Sequence, residues 1–506
     1  MNHQNYTEVR NDSEAVSIVE IPILGYSAFF DVISDLLNNP SAHCISYFCQ
    51  PFSDRLSFTC CIADDETGNI RIMSHETRQG DLPLKSLAGL FPSMHIYERQ
   101  IHENYGVEFT GHPWLKPVRY PHERADGLSI MDNYPFYDIK SEELHEVGVG
   151  PIHAGVIEPG HFRFICNGEK VLHLEIHLGY QHRGIENLFV ARKQALQRAI
   201  LAENIAGDTA VGHGLAHAQL IESLAGIEVS EALQIERCIA LEMERIAVHI
   251  GDTAALCGDV AYQLGQVVCE ALRTMMINTT QSWCGNRFGK GLVRPGGSNF
   301  PLTDDTAEVI LKAVAEVEKR YRNVTDLIYS LPSVLGRFED IGTVTRKQAE
   351  LTGAVGMAAR TCGIIRDTRS THPFQYYRNY KVNPVILETG DVLARGMLRA
   401  LEVRASASII RDLIREWKKV KKNTGRPRYD YTLRPDSLAL SLTEGWRGEI
   451  CHTAVTDSAG NISLYKVKDP SQHNWLALAL AVRNQEISDF PVCNKSFNLS
   501  YCGHDL

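Results

Sequence analysis

The sequence predicts an α+β protein: a small N-terminal α+β domain over residues 1–121 and a larger, mainly helical domain over residues 150–506 that carries a peripheral β-sheet. A chain of 506 residues is too long for one simple hydrophobic core. Strand-like and helix-like stretches alternate in its first part, whereas long helical patterns dominate later. Between these parts, residues 122–149 are polar and lack a sustained hydrophobic period, which is typical of a linker.

Short alternating elements build the predicted N-terminal domain. Ser17–Leu24 and Arg55–Ala63 are rich in β-branched and aromatic residues, which predicts two strands. Phe29–Leu37 has the apolar spacing of an amphipathic helix and lies between them.

The larger domain is predicted to open with a hairpin and to continue in long helices. Phe162–Leu178 is strand-like and contains Asn167-Gly168, a dipeptide typical of tight hairpin turns. Ser230 is a suitable N-cap for a helix that starts at Glu231. Four isoleucines of that helix fall on one face: Ile235, Ile239, Ile246 and Ile250. Further helices are predicted over Val260–Ser282, Thr306–Ile328 and Val392–Lys418, strands within residues 436–470, and a short buried helix or strand at Trp475–Val482.

Composition excludes several classes of protein. A formal net charge of -10 argues against nucleic acid as the main partner. No apolar run approaches the roughly 20 residues that span a bilayer, and the polar N-terminus has no features of a signal peptide. Association with a membrane is therefore expected to come through partner subunits. The basic run that ends the Val392–Lys418 helix is either a solvated helix end or a patch for acidic lipid or a partner.

The 13 cysteines have no framework spacing and no C-x-x-C pair, which predicts reduced thiols in a cytoplasmic protein. Most are expected to be small buried apolar side chains. Cys493 and Cys502, near the C-terminus, are the two exceptions.

One dense motif ends the small domain. It reads YERQIHENYGVEFTGHPWLKPVRYP over Tyr97–Pro121. This resembles the signature of the smaller quinone-module subunit of respiratory complex I, which also occurs in the large subunits of formate-hydrogenlyase-type hydrogenases. Gly106, Gly111, His112 and Pro113 match that pattern, whereas Gln100 and Glu103 depart from it. The resemblance implies a structural domain.

The second domain resembles the large quinone-module subunit of complex I and the large subunits of energy-converting nickel–iron hydrogenases. The resemblance rests on a series of segments in the family order: GPIHAGVIEPGHFRF from Gly150, LGYQHRGIENLF from Leu178, GLVRPGG from Gly291, RTCG and RDTR within Arg360–Arg369, GDVLARGMLRALEVR from Gly390, and EGWRGE from Glu444. They span nearly the whole chain from Gly150.

The resemblance implies four thiolate ligands for a nickel–iron centre, and this chain lacks them. Thiolates are needed because soft sulfur ligands hold low-valent nickel. The first pair of positions falls on Ala206 and Thr209, and the second pair on Ser500 and Gly503, with Cys502 out of register. We therefore expect no metal bound by this chain. A metal held by His213 and His217, which lie four residues apart, is a weaker alternative with no third ligand in evidence.

Complex I binds a quinone head group between a histidine and a tyrosine, and neither is reproduced here. The histidine position falls on Pro159 or Ile157 depending on a gap, and the tyrosine position falls on His217. His217 could donate one hydrogen bond to a quinone, with His153, Glu158 or His161 supplying a second.

Other polar residues are expected to line the ancestral cavity. Candidates for catalysis are Glu158, His213 and His217; candidates for the cavity and a proton path are His153, His182, Arg183, Glu186, Arg294, Arg360, Asp367, Arg369 and Asp505. Carboxylates such as Glu158 and Glu186 relay protons when burial raises their pKa. The alternative is a satisfied buried ion network that fixes the fold. That alternative is favoured for Arg183, Glu186, Arg360, Asp367 and Arg369, and both stay open for Glu158, His213 and His217.

The resemblance implies a peripheral subunit of a membrane-bound oxidoreductase complex in the NADH–quinone oxidoreductase and hydrogenase superfamily. Such a subunit links electron transfer, with quinone among the candidate acceptors, to ion translocation. Expected partners are a small iron–sulfur subunit that carries the cluster, and antiporter-like and other integral membrane subunits, at the cytoplasmic face of the inner membrane. The alternatives are a non-catalytic scaffold with a degenerate cavity, or an active hydrogen-evolving subunit, which the missing thiolates disfavour.

Overall fold

The computed structural model describes residues 5–11, 13–78, 83–153 and 158–506. Its strands are β1 Thr7–Arg10, β2 Val16–Ser17, β3 Ile23–Leu24, β4 Ala42–Phe52, β5 Arg55–Asp64, β6 Asn69–Arg78, β7 Leu84–Lys85, β8 Phe109–Thr110, β9 His145–Val149, β10 His161–Asn167, β11 Lys170–His177, β12 Ser437–Glu444, β13 Glu449–Thr456 and β14 Ile462–Lys468.

The helices complete a mixed α+β architecture, as the sequence predicts. They are α1 Tyr26–Leu37, α2 His95–Tyr105, α3 Ile185–Ala191, α4 Ala195–Ala202, α5 Ala210–Ala225, α6 Glu231–Asp259, α7 Gln263–Cys284, α8 Asp304–Ile328, α9 Pro332–Leu335, α10 Arg346–Thr352, α11 Gly356–Arg360, α12 Thr368–Thr371, α13 Val392–Trp417, α14 Ser471–Ala481, α15 Phe490–Phe497 and α16 Tyr501–Asp505.

The small domain is a five-stranded sheet covered by α1 and α2. Strands β1, β6, β5 and β4 pair antiparallel in that order, and β3 adds to β6 in parallel. Phe29 and Ile33 of α1 are fully buried against this sheet. The predicted helix at Phe29–Leu37 and the predicted strand at Arg55–Ala63 are both confirmed.

The prediction of one strand over Ser17–Leu24 is wrong. The segment divides into β2, which pairs with β12, and β3, which pairs with β6. Pro22 precedes β3 and has no N–H for a ladder, which interrupts the strand. The segment thereby crosses from the sheet of the larger domain to the sheet of the smaller one.

The interface between the domains is a sandwich of two sheets. The four-stranded sheet β14-β13-β12-β2 packs against the small-domain sheet. Ile45, Cys61 and Ile72 on one side meet Leu440 and Leu442 on the other, and all five are buried. The hydrophobic effect that holds this core therefore joins the domains directly.

The segment predicted to be a linker ends in regular structure. Its last residues, His145–Val149, form β9, which pairs with β10 opposite to β11. The hairpin predicted at Asn167-Gly168 is confirmed, because Asn167 pairs with Lys170 across the turn.

Long helices form the core of the larger domain. The predicted helices correspond to α6, α7, α8 and α13, and the stretch Trp475–Val482 lies largely in α14. Ser230 caps α6 by accepting a hydrogen bond from the Leu233 N–H at 3.2 Å. The four isoleucines of α6 are at most 1% exposed. None of the helices in the described ranges is long and apolar enough to cross a membrane.

The basic run after α13 is largely neutralised within the chain. Lys418 and Lys422 form ion pairs with Glu308 and Asp304 of α8, at 2.7 and 2.6 Å. These exposed pairs contribute little stability, but they reduce the net positive charge that a lipid surface would meet.

Candidate functional site

The first pair of predicted metal positions lies at the start of α5. Ala206 is buried and has no ligand atom. The Thr209 hydroxyl lies 3.3 Å from the Arg447 guanidinium, which forms a bidentate ion pair with Asp208 at 2.7 Å through both nitrogens. An arginine–aspartate pair therefore fills the space beside these positions.

The second pair lies at the start of α16. The Ser500 hydroxyl accepts a hydrogen bond from Gly503 N–H at 2.9 Å, which caps this short helix. A Cβ atom on Gly503 would lie 2.6 Å from the carboxylate of Asp469. Asp469 therefore takes the space that a cysteine side chain at 503 would need.

Asp469 begins a continuous line of buried hydrogen bonds. Its Oδ2 lies 3.0 Å from His213 Nε2, and His213 Nδ1 lies 3.1 Å from His452 Nε2. His452 Nδ1 lies 2.8 Å from the Tyr465 hydroxyl, which lies 2.9 Å from His217 Nδ1. All five residues are at most 2% exposed. We call Asp469, His213, His452, Tyr465 and His217 the buried relay.

Electrostatics keep the histidines at the far end of the buried relay neutral. Burial, together with the positive charges of Arg198 and Arg294, lowers the pKa of His217 to about 3. Burial also holds the pKa of His452 well below its usual value. Burial opposes ionisation of Asp469, but the hydrogen bond and charge of His213 and the charge of Arg447 outweigh it and lower the Asp469 pKa.

A second cluster surrounds the C-terminal helix. Asp505 accepts hydrogen bonds from Gly179 and Gln181 N–H at 2.8 and 2.9 Å, and His182 Nδ1 contacts the Asp505 carbonyl at 2.8 Å. Glu158 accepts a hydrogen bond from Tyr501 N–H at 3.2 Å. These contacts tie the first motifs of the large domain to the end of the chain.

Arg183 and Glu186 have partners of different kinds. Arg183 is exposed and donates to the carbonyl oxygens of Asn204, Ile205 and Cys502 instead of to an acid. Glu186 forms an ion pair with Lys466 and accepts a hydrogen bond from Val467 N–H at 3.1 Å. Because Arg183 is exposed and backbone carbonyl oxygens satisfy its guanidinium, the prediction of a buried ion network was wrong for this residue.

Arg360, Asp367 and Arg369 do form a buried ion network, as the structural alternative predicted. Arg360 lies 2.5 Å from Glu402, 2.7 Å from Glu444 and 3.7 Å from Asp367. The other members are Arg369, Glu242, Arg245 and His249. Asp367 has its pKa lowered to about 2, because Arg369 and Arg360 outweigh the opposing effect of burial.

The remaining candidates lie apart from the buried relay. Arg294 pairs with Glu203 at 2.5 Å within the helical core. His153 Nε2 contacts the Gly160 carbonyl at 2.9 Å, and His161 Nδ1 contacts the Gly150 carbonyl at 3.1 Å. The alternative histidine position, Ile157, lies outside the described residues.

Sequence reasoning missed Asp469, His452 and Tyr465. His452 lies inside β13, Tyr465 inside β14, and Asp469 directly after β14. A fully buried strand normally carries apolar side chains, so polar residues at these positions were the available signal.

All 13 cysteines are free thiols, and only Cys502 is partly exposed. Within the described ranges, no three His, Cys, Asp or Glu side chains are placed to hold a metal ion together.

A cavity of about 490 Å³ opens between the domains, lined by α2, residues 113–118, β11 and α14. Trp114, Tyr134, Leu174 and Trp475 contribute to its walls. Three buried side chains that line it have polar atoms without a protein partner: both ring nitrogens of His95, both amide atoms of Gln472 and the indole N–H of Trp475. Such groups normally find a partner, so the cavity is suited to a polar-headed ligand.

Comparison with known families matches both domains. Residues 28–135 match the family described as "Respiratory-chain NADH dehydrogenase, 30 Kd subunit". Residues 259–439 match "Respiratory-chain NADH dehydrogenase, 49 Kd subunit". These matches confirm the resemblance inferred from the motifs.

Individual relatives come from hydrogenases and from NADH dehydrogenases. The chain is 24% identical over 421 residues to hydrogenase-4 component G of Escherichia coli (strain K12), covering 80% of this chain and 72% of that protein. It is 29% identical over 356 residues to the carbon monoxide-induced hydrogenase of Rhodospirillum rubrum, covering 70% and 97%. It is 24% identical over 463 residues to the C/D protein of the NADH-quinone oxidoreductase of Phocaeicola vulgatus, covering 83% and 86%.

A solved structure shares the fold. A chain of the membrane-bound sulfane sulfur reductase, an archaeal respiratory membrane complex, superposes with a TM-score of 0.66 at 20% identity, covering 73% of this chain and all of that one.

Proposed function

We propose that this chain serves as the large peripheral subunit of a membrane-bound oxidoreductase without nickel chemistry. The proposal rests on the matches of its two parts to the 30 kDa and 49 kDa subunit families of respiratory-chain NADH dehydrogenase and on its similarity to subunits of hydrogenases and of NADH-quinone oxidoreductase. In this role it receives electrons from a small iron–sulfur subunit and docks on integral membrane subunits that move ions. It lies on the cytoplasmic face of the membrane.

The proposed loss of nickel chemistry rests on the residues at the four predicted ligand positions. The predicted ligand positions hold Ala206, Thr209, Ser500 and Gly503, and the volume beside them is filled by the Arg447–Asp208 pair and by Asp469. Hydroxyl groups are poor ligands for low-valent nickel, and alanine and glycine provide none. The residues present therefore do not fit a nickel–iron centre, although the surrounding fold is retained.

The cavity between the domains supports a quinone as the electron acceptor. A quinone head needs a donor at each carbonyl oxygen within mostly apolar walls. Trp475 and Gln472 present donor groups without protein partners, and His95 adds a ring whose pKa burial and Arg99 hold well below its usual value, so it stays neutral. His217 is the competing donor, but its Nδ1 already contacts Tyr465 within the core.

The test is purification of the complex through a tag on this chain, followed by analysis of metals and bound quinone. We expect no nickel, iron from the partner's cluster, and extractable quinone that is lost on Gln472→Leu and retained on His217→Ala. Nickel at one atom per chain would overturn the proposal. Loss of quinone with His217→Ala alone would instead place the bound quinone beside His217 of α5. Absence of both nickel and quinone would favour the scaffold alternative.

A further inference from the structure

The cavity between the domains has a long axis that runs along α14. One face of this helix forms a wall of the cavity, with residues at the spacing of successive helical turns: Gln472, Trp475, Leu476, Ala479 and Leu480. From Gln472 to Leu480 the helix rises about 12 Å. A second wall is formed by β11, where His173 to His177 span about 13 Å. The two walls have matching lengths, so the cavity is elongated.

The end of the cavity beside the C-terminus of α14 is open. Asn484 N–H donates to the Val171 carbonyl oxygen at 2.7 Å, which places the start of β11 beside the end of α14. Arg483 Nη2 lies 3.3 Å from His173 Nδ1, and the Tyr137 and His173 ring centroids are 5.6 Å apart. Arg483 is exposed, and Tyr137 is 52% exposed. We call Arg483, His173 and Tyr137 the mouth of the cavity.

The opposite end of the cavity is buried and polar. His473 Nε2 lies 3.0 Å from the Ser93 carbonyl oxygen, so the start of α14 lies against the segment that leads into α2. This contact brings together three polar side chains that line the cavity: His95, Gln472 and Trp475. All three are at most 5% exposed. We call them the inner end of the cavity.

We infer that the cavity binds its ligand in one orientation, with the polar head group at the inner end and an apolar chain that leaves through the mouth. Between the two ends, α14 presents three apolar side chains to the cavity: Leu476, Ala479 and Leu480. An apolar chain that lies along them removes apolar surface from water, whereas a polar head group there would lose its hydration. The inference rests on the proposed quinone site and adds the direction in which the quinone lies.

The charged groups beside the cavity already have partners within the chain. Lys116 forms an ion pair with Glu175, and Glu175 also accepts a hydrogen bond from Tyr137 N–H at 2.8 Å. Arg99 donates to the carbonyl oxygens of Lys116 and Pro117 at 2.8 and 2.7 Å. A head group beside them would compete with these contacts, so the inner end is the better position for it.

Ala479 leaves the space through which the chain passes. Its side chain is the smallest of those that α14 turns toward the cavity, and it lies between Trp475 and Arg483 along the axis. Trp475 is one turn of the helix closer to the inner end, about 6 Å away along the axis. A larger side chain at 479 would therefore obstruct the chain and leave the head group in place. This makes Ala479 a specificity-determining residue for ligands with a long chain.

The test compares quinones that differ only in the chain, by calorimetric titration of the purified complex in detergent after its bound quinone has been extracted. Two pairs are used, so that the ring system does not decide the result: dimethylnaphthoquinone with phylloquinone, and duroquinone with decylplastoquinone. The first member of each pair has a methyl group where the second has the chain. Both members of at least one pair should bind to the unaltered complex, and the chain-bearing member should bind more tightly.

Ala479→Phe should weaken binding of the chain-bearing quinone by at least about tenfold, which corresponds to lost burial of about two methylene groups, and change binding of the chainless quinone by less than about twofold. Leu480→Ala removes apolar wall without adding bulk and should also weaken only the chain-bearing quinone. Gln472→Leu, at the inner end, should weaken both by the same factor. Ala271→Phe is the control, because it adds the same bulk at an exposed position of α7 outside the cavity and should change neither.

The outcomes separate the orientation from the site itself. Equal effects of Ala479→Phe on both members of a pair, while Gln472→Leu still weakens both, would overturn the orientation and leave the quinone site in place. If Ala479→Phe does not assemble into the complex, Leu480→Ala decides the question by the same criterion. If none of the quinones binds, or if Gln472→Leu changes no dissociation constant, the proposed quinone site is refuted, and the orientation with it.

Discussion

Replacement of Arg360 by methionine tests how much the buried ion network stabilises the larger domain. Arg360 is fully buried between Glu402, Glu444 and Asp367. Methionine retains most of the apolar stem but removes the charge and all the hydrogen bonds. The three carboxylates then share the remaining partners of the network.

The expected loss follows from burial. Removing one partner from a buried pair costs about 3–5 kcal/mol, because it leaves an uncompensated charge. Asp367 keeps Arg369 at 2.7 Å and Glu402 keeps His249 at 2.6 Å, so we expect the lower end, about 3 kcal/mol. An unfolding entropy of ~2.1 cal/mol/K per residue over ~350 residues converts this into a melting temperature about 4 °C lower.

Calorimetry of the purified complex measures the shift. Arg404→Met is the control, since Arg404 pairs with Asp326 at 2.9 Å but the two side chains are 36% and 64% exposed. An exposed pair contributes about 1 kcal/mol or less, so the control should lower the melting temperature by about 1 °C. Equal shifts in the two variants would refute the argument that burial decides the contribution.

Two further predictions concern single residues. Burial raises the pKa of Glu98 to about 7, although hydrogen bonds from Ser86 and from backbone N–H groups act in the opposite direction. The stability that protonated Glu98 contributes is therefore full below about pH 4.5 and is lost as the pH rises through 7. This change amounts to up to about 3 kcal/mol. Denaturant unfolding across this range should show a shallower fall for Glu98→Gln, and an unchanged slope would contradict the assignment. A Cβ atom on Gly356 would lie 2.1 Å from Gly448 Cα, whereas one on Gly226, at a similar positive φ, meets nothing within 4 Å. Gly356→Ala should therefore lower the free energy of unfolding by more than about 4 kcal/mol, and Gly226→Ala by about 1 kcal/mol. Comparable melting temperatures for the two variants would contradict the prediction, because they would show that a small backbone shift removes the close contact.

The sequence predicted those features that depend on local patterns. The isoleucine stripe of α6, its Ser230 cap and the turn at Asn167-Gly168 each follow from residues within a few positions of one another. The segment Ser17–Leu24 was wrongly predicted because its two halves pair with different sheets. Their partners β12 and β6 lie in different domains, and no local pattern identifies them.

The candidate site was predictable only in part for the same reason. His213 and His217 were identified on one helix, and both belong to the buried relay. Their partners come from β13, β14 and the residue after β14, more than two hundred positions away in the chain. Likewise, Arg360 and Arg369 of the ion network were found from their motif, whereas Arg245, Glu242 and Glu402 were not. These three residues lie on long helices, where charged side chains usually face solvent.

The pairing of β2 with β12 sets the order in which this protein can be completed during synthesis. Val16 leaves the ribosome early, but its partner Leu438 appears only near the end of the chain. At ~5–20 residues per second, that interval lasts tens of seconds. The small-domain sheet can close meanwhile, yet its outer apolar face, with Ile45 and Ile72, has no cover until β12 and β13 arrive. A nascent chain of this kind therefore exposes an apolar surface for most of its translation, and we expect the unfinished chain to be prone to aggregation during that time.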